Sequence, residues 1–289
     1  MIKNSLSYPG NKNRLLKEIV PELPETKYFI DVFCGSGVVG ANSKSSVVIA
    51  NDFNEWTIAI LRCLYEVDFR CLVDKIEKII SKYGLSYSRV LPKGFYVEKK
   101  HEGLSVINRE GYLKLKDDFN NNHDIFSLIV LCIYGFNHYL RFNKNGEFNV
   151  PVGKVDFSKS IYTELEKFVN GIKDKKFIFL NFDFRNSELY KYDDAIYYFD
   201  PPYLITTAPY NEGWSERDEK DLLRMLDSLN ENNKKFVLSN VLISNGKRNE
   251  LLIEWSKKYN TINVHRQYRN ANYQKINITD TEEVIIKNF

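Results

Sequence analysis

Four residues at positions 200–203, DPPY, combine groups that could act together on a planar ligand. They follow an apolar and aromatic run, residues 195–199, whose length and composition predict a buried strand. The strand must end at Asp200, because two consecutive prolines cannot donate to a sheet and hold the chain extended. A carboxylate, the carbonyl of Pro201 and the ring of Tyr203 are therefore expected at a strand's carboxyl end, where open α/β sheets bind their ligands.

An exocyclic amine on a planar base suits these groups. Its lone pair is delocalised into the ring, so the nitrogen is a poor nucleophile. Hydrogen bonds from the amine to Asp200 and to the Pro201 carbonyl would draw the nitrogen toward tetrahedral geometry. Pro202 stiffens the turn, and Tyr203 would stack on a base that is single-stranded or flipped out of a duplex. We predict that Asp200, Pro201, Pro202 and Tyr203 are catalytic; a purely structural turn is the alternative.

A glycine-rich turn near the N-terminus is the second candidate site. Residues 28–33 and 47–50 are predicted strands, and residues 35–40 between them fit the pattern G-x-G-x-x-G. Asp31, an acid inside the first strand, is unusual beside a pyrophosphate and favours a cationic ligand such as S-adenosylmethionine. Asp52, which follows the second strand, would accept hydrogen bonds from ribose hydroxyls. A dinucleotide-binding loop and a turn without a ligand remain alternatives.

A third candidate is the segment 136–154, which contains the dipeptide Asn145-Gly146. This dipeptide predicts a two-stranded ribbon with a primed turn at its tip. Such a ribbon has the width of a DNA major groove, and its cations and amides can donate to base edges. A solvated hairpin is the alternative. The residues predicted to bind DNA are Arg141, Asn143, Lys144, Asn145, Asn149, Pro151 and Lys154.

The order of the elements predicts an α/β fold. Residues 55–134 are mainly helical, and further strands are expected at 176–181, 236–239, 261–264 and 283–288. We predict a doubly wound, Rossmann-like sheet with an inserted, mainly helical domain that carries a β-hairpin. Residues 1–57 and 158–289 would form the catalytic domain, and residues 58–157 the DNA-binding insert.

Composition limits the other possibilities. The 289 residues are 43% hydrophobic and carry a net charge of +3, which permits a polyanionic partner without requiring one. The four cysteines form no CxxC pair, so we expect reduced thiols and no metal site. No apolar run of about 18 residues is present, so we expect a cytoplasmic protein without membrane contacts. Residues 266–275 are basic and aromatic, and could line a nucleic-acid channel or form a solvated loop.

The motifs together resemble the Dam-like (D12 class, α-group) DNA adenine-N6 methyltransferases. The similar segments stand in the family's order and run through most of the chain: YPGNK at 8–12, DVFCGSG at 31–37, NDFN at 51–54, RFN at 141–143, GEFNVP at 146–151 and DPPY at 200–203. Ribosomal-RNA guanine methyltransferases also carry DPPY, but much nearer to the glycine turn. The resemblance therefore implies that the doubly wound sheet is a Rossmann-like methyltransferase sheet, and that the long insertion is a target-recognition domain.

The resemblance implies S-adenosylmethionine as cofactor, double-stranded DNA as substrate, and methylation of N6 of a flipped adenine, with GATC as a candidate target. A restriction endonuclease is a candidate partner, and we expect a monomer. Tyr8 and Lys12 are implied to hold the methionine part of the cofactor. The full set of implied cofactor-binding residues is Tyr8, Pro9, Gly10, Lys12, Asp31, Phe33, Cys34, Gly35, Ser36, Gly37, Asp52, Phe53, Asp183 and Phe184.

Two positions depart from the family's pattern. The opening motif often has a second glycine where this chain has Asn11. Many GATC-specific members have an arginine where this chain has Lys154, and lysine cannot form arginine's bidentate fork to guanine. The alternative functions are an RNA or guanine-N2 methyltransferase, an NAD-dependent dehydrogenase and an inactive DNA-binding protein.

Overall fold

A mixed sheet forms the centre of the computed structural model, which describes residues 1–4, 6, 11–91, 103–206, 213–264 and 281–289. Its strands are β1 (Tyr28–Asp31), β2 (Val47–Asn51), β3 (Lys176–Leu180), β4 (Ala195–Phe199), β5 (Lys235–Ser244), β6 (Lys247–Arg248), β7 (Asn260–Val264) and β8 (Glu282–Lys287). The α-helices are α1 (Leu16–Ile19), α2 (Val38–Asn42), α3 (Glu55–Glu66), α4 (Phe69–Lys82), α5 (Leu104–Asn122), α6 (Ile125–Tyr134), α7 (Lys159–Lys173), α8 (Glu216–Glu231) and α9 (Glu250–Ser256).

The strand order is β3-β2-β1-β4-β5-β8-β7, with β6 paired to β5. The first five strands of this order are parallel, whereas β8 runs antiparallel to both β5 and β7. The chain adds strands outward from β1 to β3 and then returns to place β4 on the other side of β1. The strand order therefore reverses between β1 and β4, which is where a doubly wound sheet opens a crevice for ligands. The predicted α/β class is confirmed.

Both faces of the sheet are buried. Helices α8 and α9 cover one face together with inward side chains such as Tyr197 and Phe199. The other face packs against α2, α3 and α7, and a continuous apolar cluster joins it to α4, α5 and α6. Helix α6 is apolar on all sides and its residues from Leu128 to Tyr134 are completely buried. Burial of each such large side chain contributes about 1.5–3 kcal/mol, so α6 is a central support for the helices around it.

The ribbon forms, but with a different turn from the one predicted. Phe142 and Phe148 make an antiparallel bridge, and the N–H of Gly146 donates to the carbonyl of Asn143 at 3.0 Å. Only Gly146 of the Asn-Gly pair has a positive φ, at 77°, whereas a primed turn of the Asn-Gly type needs positive φ at both residues. The predicted primed turn is therefore wrong. The loop instead spans three residues and ends in a left-handed glycine.

No α-helix among the described residues is long and apolar enough to cross a lipid bilayer. The longest of them, α5, carries charged and amide side chains along its length. Residues 266–275, the basic and aromatic segment, lie outside the described residues.

Candidate active site

A cavity of about 630 Å³ opens at the carboxyl ends of β1 and β4, where the strand order reverses. Its volume lies within the range of small-molecule sites. Most of the predicted cofactor-binding residues and all four predicted catalytic residues line it: Lys12, Asp31, Phe33, Cys34, Gly35, Ser36, Asp52, Phe53, Asp183, Phe184, Asp200, Pro201, Pro202 and Tyr203. The fold thus brings two distant segments of the chain to one crevice.

The glycine turn is shaped by its backbone. Gly37 has a φ of 70°, which favours glycine, and stands directly before α2. A Cβ atom at Gly40 would lie 2.8 Å from Cγ1 of Val48, so glycine lets α2 pack closely on β2. Asp52 connects the turn to the next loop, since its Oδ2 accepts from the N–H of Gly35 at 2.9 Å. Gly37 supports the turn but is outside the set of residues that line the cavity.

Asp31 places a buried acidic side chain beside the cavity. Its side chain is 1% exposed, and among the described residues its Oδ1 has no hydrogen-bond partner. Burial raises the pKa of Asp31 well above its ordinary value, and the nearby carboxylates of Asp200 and Asp52 raise it further. A buried acceptor without a donor is costly. A cationic group in the cavity would satisfy it, so this feature fits a ligand that carries an ammonium or a sulfonium.

The strand end at Asp200 is held by a cation. Nζ of Lys12 lies 2.6 Å from Oδ1 of Asp200 and donates to the Tyr203 hydroxyl at 2.6 Å, and that hydroxyl donates to Asp200 at 3.1 Å. Burial raises the pKa of Asp200, while the ion pair and hydrogen bond with Lys12 lower it. Lys12 was expected to face the cofactor. It does line the cavity, but its pairing with Asp200 was not foreseen from the sequence.

The N-terminal segment places Lys12 through local caps. Oδ1 of Asn11 accepts from the N–H of Asn13 at 3.0 Å and begins a short 3-10 turn, Lys12–Arg14. The side chain of Asn4 donates to the carbonyl of Ser36 at 2.7 Å and so ties this segment to the glycine turn. Asn11 therefore has a structural role at the position where the family often has glycine. Tyr8, Pro9 and Gly10 lie outside the described residues.

Three aromatic rings form one wall of the cavity, which we call the aromatic wall: Phe33, Phe184 and Trp214. Their centroids are 5.4–5.8 Å apart in all three pairs. Sequence reasoning did not identify Trp214. The signal that could have found it is its position directly before Ser215-x-x-Asp218, a capping box that starts α8. In an α/β sheet, a helix start that follows a strand faces the ligand edge.

Asp183 faces the cavity in a network of charges. Its carboxylate accepts from its neighbour Arg185, both from the backbone N–H at 2.8 Å and from the guanidinium at 3.2 Å. The same guanidinium bonds to Asp218 and Asp221 of α8 and lies over the ring of Phe184, 4.2 Å from its centroid. Arg185 thus fixes Asp183 and Phe184 relative to α8, and it was also absent from the predicted site.

The ribbon contributes to the rim of the cavity. Arg141 lines it, and its guanidinium donates to Oδ1 of Asn149 at 2.8 Å and to the Asn149 carbonyl at 3.1 Å. Tyr139, Leu140 and Phe142 line it as well, although the sequence did not single them out. The other predicted DNA-binding residues, Asn143, Lys144, Asn145, Pro151 and Lys154, lie on the ribbon beyond the cavity lining, and the side chains of Lys144, Asn145, Pro151 and Lys154 are exposed.

A doubly wound sheet that brings a glycine turn and a strand end together at its reversal point is a Rossmann-like fold. Within that class, the chain belongs to the D12 class N6 adenine-specific DNA methyltransferases, since the model of that family matches residues 8–270. This match confirms the family that the sequence motifs indicated.

Curated relatives agree with this membership. The Type II methyltransferase M.FokI of Planomicrobium okeanokoites is 34% identical over 100% of this chain, and the modification methylase StsI of Streptococcus sanguinis is 32% identical over the same share. The chain spans 43% of the length of each of these two relatives. A DNA adenine methylase of Vibrio cholerae is 26% identical, with 98% of this chain and 90% of that relative aligned.

Proposed function

We propose that this chain transfers a methyl group from S-adenosylmethionine to N6 of an adenine that is flipped out of duplex DNA. The observation that carries the proposal is the position of Asp200 and Pro201 at the sheet's reversal point, across one cavity from the glycine turn. Membership of an adenine-specific family supports the choice of base. The cavity is large enough for a small molecule together with a base edge.

The cofactor supplies an electrophilic methyl group on a positively charged sulfur. In this proposal the free oxygen of Asp31 meets the cofactor's positive charge, and the Asp52 carboxylate accepts from ribose hydroxyls. Both oxygens of Asp52 already accept one backbone N–H each, from Gly35 and Asn54, at 2.9 Å. These bonds orient the carboxylate, and each oxygen retains a second lone pair. The remaining residues of the proposed cofactor-binding set are Tyr8, Pro9, Gly10, Lys12, Phe33, Cys34, Gly35, Ser36, Gly37, Phe53, Asp183 and Phe184.

The target adenine would be held by the strand end. Asp200 and the Pro201 carbonyl accept hydrogen bonds from the two N6 hydrogens, Pro202 keeps the turn rigid, and Tyr203 stacks on the base. Transfer forms a bond between the methyl carbon and N6 while the bond from that carbon to sulfur breaks. In this proposal the cofactor would leave as a neutral thioether, and the methylated amine would release one proton to the Asp200 carboxylate that accepts its hydrogen bond. Alignment of the amine against the methyl group supplies most of the acceleration, as in other reactions between immobilised partners.

DNA recognition is assigned in this proposal to residues 58–157 as a target-recognition domain, with residues 1–57 and 158–289 as the catalytic domain. Arg141, Asn143 and Lys144 lie on the ribbon that leads from the cavity rim to an exposed tip. GATC is the candidate target and the protein acts as a monomer. Because similar proteins include modification methylases, a restriction endonuclease is the candidate partner.

The test is to incubate the purified chain with cofactor labelled in its methyl group and a set of duplexes. Label is expected on adenine in duplex DNA, and a duplex with N6-methyladenine at every target should accept none. Sequencing of modified bases in DNA from cells that express the protein would then give the target sequence. Label on cytosine alone, or on RNA alone, contradicts the proposal, as does a protein that binds NADH in place of S-adenosylmethionine.

A further inference from the structure

A buried carboxylate lies directly behind the aromatic wall. Glu219, in the first turn of α8, is completely inaccessible to solvent. Its Oε2 accepts from Nε1 of Trp214 at 2.8 Å, and its Oε1 accepts from Nδ2 of Asn249 at 2.9 Å. In the described part of the chain no lysine or arginine pairs with it. A buried carboxylate held only by neutral donors is costly, so the burial of a glutamate at this position calls for a physical reason.

Trp214 and Asn249 each direct a hydrogen-bond donor at the side chain of Glu219, so this side chain must offer two acceptors. The indole of Trp214 can only donate. Asn249 uses its Oδ1 to cap α9, accepting from the N–H of Leu252 at 3.1 Å, so its amide hydrogens must point toward Glu219. A carboxylate has acceptor oxygens for both of these donors and for the side-chain amide of Asn240, whose Oδ1 accepts from the N–H of Val241. A glutamine has one acceptor and one amine, so it would leave one of the two donors facing another donor.

The start of α8 does not need Glu219. Ser215 and Asp218 already form a complete capping box, in which each side chain bonds to the other's backbone N–H. The hydrogen bond that the indole N–H of Trp214 donates to Glu219 therefore acts to hold the ring of Trp214. This ring packs edge-on against Phe33 and at a tilt against Phe184, with centroids 5.8 Å and 5.4 Å away. Each of these rings lines the cavity.

We propose that Trp214 binds the purine ring of the cofactor as part of the aromatic wall, and that Glu219 is the positioning residue that fixes its indole. The inference rests on the proposed function for the identity of the cofactor. The cofactor's purine is favoured over the target base because Trp214 packs on Phe184, which with Asp183 belongs to the proposed cofactor-binding set. Arg185 links both of these residues to α8. Aromatic faces bind planar heterocycles by stacking and edge contacts.

The first experiment measures the affinity for S-adenosylmethionine by calorimetry in the full chain. E219Q is expected to weaken it about tenfold, because one buried donor loses its acceptor. The matched control is E216Q, which changes an exposed carboxylate in the same turn of α8 and should leave the affinity unchanged. In steady-state assays over a range of cofactor concentrations, E219Q should raise KM for the cofactor while kcat stays within about twofold.

A double-mutant cycle separates positioning from a general structural role. Phenylalanine in Trp214→Phe has no N–H, so the glutamine of E219Q can turn its single acceptor to Asn249. E219Q should therefore cost little further affinity in the Trp214→Phe background. A full additional loss in that background, or an E219Q protein that binds the cofactor as the wild type does, overturns the inference. Thermal melting of each variant shows whether any loss reflects unfolding.

Tryptophan emission gives a readout that does not depend on activity. Cofactor binding should change the emission of the wild type and of Trp56→Phe, but not that of Trp214→Phe. A change of wild-type size in Trp214→Phe contradicts the inference, as does a loss confined to the affinity for DNA. If the wild type binds the cofactor yet methylates no adenine, the proposed function is refuted. The affinities and the emission changes of the variants would then still test the roles of Trp214 and Glu219. A wild type that does not bind the cofactor refutes both.

Discussion

Lys12 and Tyr203 are separated by 191 positions in the chain, yet Nζ of Lys12 donates to the tyrosine hydroxyl at 2.6 Å and contacts Asp200 at the same distance. Only 5% of the Lys12 side chain is exposed, so its charge is screened little by water. The ammonium therefore offsets the negative charge of Asp200 in a buried site, and it makes the proton affinity of Asp200 depend on the N-terminal segment.

Replacement of Lys12 should move the acid side of the pH–rate profile. Burial already raises the pKa of Asp200 and Lys12 opposes that rise, so removal of the cation in Lys12→Met should raise the pKa further. The proposed mechanism needs the carboxylate form, so activity of Lys12→Met should be lost at a higher pH than in the wild type. Single-turnover rates across pH, at saturating cofactor, measure the shift. Lys12→Arg keeps a cation and should shift less; equal profiles for all three proteins would contradict the explanation.

Asp200→Asn should abolish most methyl transfer while cofactor binding persists. The amide oxygen of the variant would keep the bonds to Lys12 and Tyr203, so its NH2 group would face the reacting amine. Loss of this preorganised acceptor costs about 10²–10³-fold in rate, by analogy with other preorganised contacts. The control is Asp193→Asn, an exposed carboxylate that precedes the same strand at its other end. Rapid-quench measurements of methyl transfer and calorimetry of cofactor binding check the two parts. A variant within tenfold of the wild-type rate would remove Asp200 from the mechanism.

Asp31→Asn should stabilise the folded chain and weaken its affinity for the cofactor. Because burial raises the pKa of Asp31, its carboxylate destabilises the folded chain as pH rises above the pKa of the unfolded state. At neutral pH the neutral amide should therefore raise the melting temperature and lower cofactor affinity by about tenfold or more, since a charged contact is lost. In acid, where Asp31 is protonated in both states, the difference in melting temperature should shrink. A variant that is less stable at neutral pH and binds the cofactor normally would refute both parts.

Two cations of the ribbon should affect DNA binding differently. Arg141 is held by two hydrogen bonds to Asn149, so its guanidinium is oriented for a specific contact. Arg141→Lys should lower discrimination at one base pair by about tenfold. Lys144 lies exposed at the tip, so Lys144→Ala should weaken binding to all sequences and reduce the salt slope by about one. Binding titrations on target and non-target duplexes at several salt concentrations measure both effects; identical behaviour of the two variants would contradict this distinction.

Local sequence determined much of this molecule. The aromatic run before Asp200, the two prolines after it and the glycine turn after Asp31 each specify backbone conformation within a few residues, because strand periodicity and turn chemistry are local properties. Their predicted places at strand ends are confirmed. The motif order also identified the family correctly. The prediction of a primed turn in the ribbon was wrong, because several loop lengths accept an Asn-Gly pair. The hydrogen bonds between Asn143 and Glu147 select the three-residue loop.

Tertiary structure alone decided which of these pieces meet. Lys12 pairs with Asp200, and Trp214 packs on Phe33, across segments that are distant in the chain. The carboxylate of Glu219 becomes buried only when α8 packs in the folded chain. Strand order and the packing of helices on both faces set these contacts, and neither leaves a periodic mark in the sequence. The chain therefore specified its chemical groups locally, while their distances, charges and partners depended on how the sheet was assembled.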